Sequence, residues 1–140
     1  MTPSPEAVPS ETIPVFSVDD HGELAELLGT GSRVADDVVL VEGRLAARLA
    51  AEAWPALRVA VPSPDGCDDA TLVDVETVHV AAPEKVARFH HLIETEPHST
   101  VVALELVPDP EAVRQEGTFV LFSANVICLL FGNLLRICRP

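Results

Sequence analysis

His90 and His91 are the adjacent side chains in this 140-residue sequence that first suggest metal chemistry. On a helix, neighbours point about 100° apart, so two adjacent rings do not easily reach one ion. His98 lies beyond Pro97. A zinc site wants three or four converging Cys, His or acidic ligands, and no such spacing occurs here. The expectation is one half-buried and one solvated histidine, and no metal. Gly29-Thr30-Gly31-Ser32 has the glycines of a phosphate loop but not its Gly-Lys-Ser/Thr ending. It reads better as the C-cap of a helix. Asp36-Asp37 and Asp68-Asp69 are paired acids in polar turns, expected to be solvated. Ser123 has no nucleophile elbow around it. No cofactor motif is complete, and no self-contained active site is expected.

The elements that would have to position a site come next. The chain holds 22 Asp+Glu against nine Lys+Arg, a net charge of −13. Residues 1–117 carry 7 − 22 = −15, and the tail adds +2 through Arg136 and Arg139. An acidic body repels phosphate backbones, which excludes nucleic acid as the expected partner. The cysteines, Cys67, Cys128 and Cys138, do not form a disulfide framework by number or spacing. Residues 1–14 hold four prolines and two acids, Glu6 and Glu11, where a secretory leader would be apolar. Free thiols, with Cys128 as a small buried apolar residue, and a cytoplasmic location follow as expectations.

Residues 1–14 read as a disordered tail. Val15–Val18 is short and β-prone. Asp20-His21-Gly22-Glu23 has a capping-box pattern, so a helix is expected through Leu24, Leu27 and Leu28, ending at Gly29 and Gly31. Val38–Val41 fits a buried strand, and Arg44–Trp54 a helix stopped by Pro55. Leu57–Val61 is a second apolar strand. Thr71–Val80 alternates as a half-exposed strand does. Pro83 opens a helix whose stripe is Val86, Phe89 and Ile93. Strands and helices in alternation imply an α/β fold, a small mixed sheet flanked by helices.

Thr118–Leu135 is an 18-residue run without a charge. At 1.5 Å per residue it would reach roughly 27 Å, enough for a span. Asn125 and Asn133 interrupt it. Asn125, Cys128, Gly132 and Arg136 share one helical face, and the positive charges follow the run. These features favour an apolar C-terminal helix, residues 118–140, packed on an acidic body of residues 15–117 or in an oligomer interface. Phe119, Phe122, Ser123, Asn125, Leu129, Leu130, Phe131 and Gly132 are the expected buried or interface residues. The alternative is a membrane-attached adaptor anchored by residues 119–135.

Ile93-Glu94-Thr95-Glu96-Pro97-His98 leading into Ser99–Leu106, with Ser123, Leu129, Leu130 and Gly132 downstream, resembles a stretch of divergent crotonases, the enoyl-CoA hydratase/isomerase superfamily. The resemblance covers about residues 93–136. It implies an acyl-CoA ligand and a helix from Ser99 or Thr100 onward. Local propensity instead makes Thr100–Val107 a strand. The family's glutamate before the serine is Phe122 here, its tyrosine is Val126, and its Pro-Glu-Phe is Asn133-Leu134-Leu135. The glycine-rich segments that supply oxyanion donors are not recognisable, and such donors are usually the largest catalytic term. The resemblance therefore implies a shortened, catalytically degenerate protein. It would bind acyl-CoA or serve as a subunit or interaction module, as a homo-oligomer or with a protein partner through the C-terminal helix.

Overall fold

A computed structural model describes residues 11–35, 37–54, 56–62, 70–93, 95–107 and 126–132. Six strands close into a barrel: β1 (Glu11–Val18), β2 (Leu24–Ala35), β3 (Val38–Glu42), β4 (Leu57–Pro62), β5 (Ala70–Val80) and β6 (Val101–Leu106). Around the barrel the order is β1-β2-β3-β6-β5-β4, with β4 back against β1, and every neighbouring pair is antiparallel. Helix α1 (Gly43–Ala51) joins β3 to β4, and α2 (Pro83–Ile93) joins β5 to β6. A third helical stretch covers 126–131.

Strand alternation separates the two sides of the barrel wall. Ile13 and Val15, Val39 and Val41, Leu57 and Val59, and Val102, Leu104 and Leu106 point inward and are buried. Ala46 and Leu49 of α1 join the same core, with Trp54 packed against it. Each such aliphatic contributes about 1.5–3 kcal/mol by leaving water. The inward position of β2 opposite Ile13 is Gly31. A Cβ there would lie 2.6 Å from Val39 Cγ1 and 2.9 Å from Val41 Cγ2. The glycine lets three strands meet closely at that level.

A second core lies outside the wall. Val38, Val101 and Ala103 on β3 and β6 pack under Val86 of α2 and under Val126, Ile127, Leu130 and Phe131 of the terminal helical stretch. β6 is thus buried on both faces, and it reads as a continuous apolar run, VVALEL, with one acid in it.

These findings correct several expectations. The α/β sheet is overturned: α2 connects two strands that are antiparallel neighbours, and β3 and β4, joined by α1, are not neighbours at all. Alternating strands and helices imply parallel crossovers only when the linked strands share direction. The expected helix after Asp20 is a hairpin and a long strand. The Asp19 carboxylate accepts N–H bonds from His21 at 2.9 Å and Glu23 at 3.0 Å, and Gly22 holds φ at +79°. An Asx-type turn and a helix cap use the same residues. Gly29 and Gly31 lie within β2 and cap nothing. The strand starting at Glu11 takes in the last residues of the expected tail, and Ile13 is fully buried. Val101–Leu106 is a strand, as local propensity expects and unlike the helix implied by the crotonase resemblance. Cys128 is disulfide-bonded, so the expectation of free thiols fails there.

Candidate functional site

β5 and β6 bring together a buried polar pair among the described residues. A bulge between Val75 and Thr77 changes the face that β5 presents. Val73 and Val75 pack toward the core before it. After it, His79 comes to lie across from Ala103, on the outer side of the wall. Glu105 is two residues further along the same face of β6. His79 Nε2 lies 2.9 Å from Glu105 Oε1, with the two side chains 12% and 6% exposed. The ring of Phe131 meets the imidazole edge-on at 6.5 Å between centroids. A carboxylate cannot be buried at this depth without a partner. The pair therefore fixes both side chains and supplies a polar seat for the terminal helical stretch.

Other polar groups cluster at the end of the barrel that α1 closes. Glu42 is the N-cap of α1, but its side chain makes no capping hydrogen bond. Partial burial removes water from its carboxyl and raises its pKa above the ordinary glutamate value. Arg48 reaches Glu26 at 3.4 Å and stacks over Trp54, 5.2 Å from the ring centre. Trp54 Nε1 is buried without a hydrogen-bond partner among the described residues. A half-open depression of about 270 Å³ lies between Ala50, Val80, Ala81, Pro97, His98 and Thr100. It is slightly smaller than the usual range for small-molecule pockets, about 300–1,000 Å³.

The outward faces of β2, β1, β4 and β5 form a separate surface. One row across them is Leu27, Phe16, Arg58 and Asp74; the next contains Thr30 beside Pro14, and Ala60 beside Leu72. Leu27 is 58% exposed and Leu72 46%. Arg58 is held by Asp74 at 2.8 Å and donates to the Gly22 carbonyl at 3.1 Å.

Among the residues expected to matter, Leu130 and Phe131 are buried against the barrel, Leu129 faces outward at 44% exposure, and Gly132 turns at φ +72°. Phe119, Phe122, Ser123 and Asn125 lie outside the described residues, as do Asp36, Asp68 and Asp69. The His90 and His91 rings stand nearly perpendicular, 5.9 Å apart, and His90 Nδ1 is 2.9 Å from the Ala87 carbonyl oxygen. No group of three potential metal ligands occurs among the described residues. No described helix is long and apolar enough to cross a membrane. Sequence reasoning missed His79 and Glu105. The available signal was the single acid inside VVALEL, which has to find a partner if the strand is buried on both faces. Comparison with protein-family models, curated proteins and solved structures finds no match.

Proposed function

We propose that the protein is an interaction module, a subunit or adaptor that works through the outside of its barrel. The filled interior carries this reading. Aliphatic side chains from β1, β3, β4 and β6 occupy the space inside the wall, so recognition falls to the exterior. There Leu27, Leu72, Leu92 and Leu129 are all more than a third exposed. The test is a photo-reactive residue placed in turn at these positions in the full chain, inside its native cells. The expected result is an adduct of one discrete mass from at least one position, lost when a neighbouring exposed residue is changed. Only diffuse labelling from all four would end the proposal.

Acyl-CoA binding by a degenerate crotonase relative is the second reading. One observation favours it: Pro97, His98, Ser99 and Thr100, which line the depression together with Ala50, Val80, Ala81 and Pro83, belong to the segment that carries the resemblance. Titration calorimetry with acetyl-CoA and palmitoyl-CoA should then give heat that His98→Ala or Thr100→Trp removes. A flat titration with both would dispose of it. A homo-oligomer through the terminal helix would use Leu129, the outward residue of that stretch, and Leu129→Glu should then dissociate it in sedimentation. Free thiols are one support for a cytoplasmic location. The disulfide at Cys128 weighs toward an oxidising setting instead.

A further inference from the structure

We infer that the outer face of β2, β1, β4 and β5 is the docking surface, and that its occupant is a basic protein partner. The assignment rests on the reading of the barrel as an interaction module and names the face and the chemistry it recognises. The opposite side of the wall, β3 and β6, is already covered by α2 and the terminal helical stretch. On this side Leu27, Phe16, Pro14, Ala60 and Leu72 form an apolar centre over four adjacent strands, with no described helix above it. At strands about 4.8 Å apart, the centre is roughly 14 Å wide, the scale of one helix or a two-stranded ribbon.

Charge selects the partner. The β1–β2 hairpin adjoins the Leu27–Phe16 row and is tied to it through Arg58 and the Gly22 carbonyl. Its turn end, residues 19–26, carries Asp19, Asp20, Glu23 and Glu26 with no Lys or Arg. Asp19 is engaged by backbone N–H groups, and Glu26 by Arg48. Asp20 and Glu23 are exposed, and neither carboxylate has a cation partner among the described residues. The one cation in the rows, Arg58, is bonded to Asp74 within the face. A second copy of the chain would bring another −13 against this rim, and like charges oppose its approach. An apolar surface bearing Lys or Arg at one border matches both features.

The probe is an amphipathic Leu/Lys peptide, titrated into the full-length isotope-labelled protein, with a Leu/Glu peptide of the same pattern as control. The Leu/Lys peptide should shift the amide resonances of Phe16, Leu27 and Leu72. Its binding should weaken about tenfold or more between roughly 50 and 300 mM salt, as charges at the rim are screened. Leu27→Ser with Leu72→Ser, both at exposed positions, should weaken it by a similar factor while the remaining spectrum is kept. Asp20→Asn with Glu23→Gln should remove most of the salt dependence. Equal binding of the Leu/Glu peptide overturns the basic partner, and so does no binding or shifts confined to other surfaces. Concentration-dependent shifts of the same amides without peptide would identify a second copy as the occupant. A Leu72 cross-link to its own chain would identify an internal cover. Either result also overturns the assignment. If the face fails but Leu92 or Leu129 still yields a discrete cellular adduct, the interaction-module reading survives without this surface.

Discussion

His79 and Glu105 show how one bulge changes the meaning of a side chain. Without the register shift after Val75, His79 would fall on the other face of β5 and Glu105 would lose its contact with the imidazole. Removing one member of a buried pair exposes the full desolvation cost of the other. Glu105→Ala should cost about 3–5 kcal/mol. His79→Phe combined with Glu105→Leu should cost much less than the two single changes together. Urea unfolding followed by Trp54, the only tryptophan, measures this cycle; additive losses would show that the pair is not coupled. Gly31→Ala tests the close approach of strands: its methyl would meet Val39 Cγ1 at 2.6 Å. A loss of about 1–3 kcal/mol is expected from overpacking. Glu42 gives a pH prediction. Its carboxyl is raised by desolvation, so the folded state holds the proton more tightly than the unfolded chain does. That contribution is complete below the unfolded carboxylate value, about 4.3, and is lost as pH rises through the folded one. Relative to Glu42→Gln, the parent protein should lose stability as pH climbs through this range and then level off. A gain over the same window would contradict the desolvation argument.

At the level of elements, legibility followed the strength of the local pattern. β3, β4, β5 and α2 are where Val38–Val41, Leu57–Val61, Thr71–Val80 and the stripe after Pro83 place them, and α1 covers most of the expected Arg44–Trp54 but ends at Ala51. Each combines a clean periodicity with a proline or glycine boundary. β2 was illegible because Leu24, Leu27 and Leu28 satisfy helical spacing, whereas a bulged strand can carry the same three residues: Leu28 against the core and Leu24 and Leu27 outward. Asp19, one residue before the expected cap, decides the matter by bonding a turn. Of the terminal run, residues 126–131 are helical and bury Val126, Ile127, Leu130 and Phe131 on the barrel. The disulfide at Cys128 belongs to this element, and cysteine spacing alone did not reveal it. Thiol titration of the denatured, unreduced protein should find one reactive group among the three cysteines, 3 − 2 = 1. Three reactive groups would remove the bond.

For the whole molecule, the sequence order of strands and helices was visible but their pairing was not. Closure depends on contacts between residues far apart in the chain, such as Val15 with Val59 and Val41 with Val102. No local pattern encodes those partners. The candidate site was hidden for the same reason, since His79 and Glu105 belong to different strands and meet only through the register of β5 and β6. The strand order has a further consequence. β1, β2 and β3 form one three-stranded half, and β4, β5 and β6 form the other. They meet along two seams, β1 with β4 and β3 with β6, while the only covalent passage between them runs through α1 and the residues up to Ala56. Each half presents the edges that the other half of any copy can complete. At high concentration, or when α1 is extended into β4, two chains can therefore trade halves, forming intertwined dimers with the same seams and no new interface chemistry.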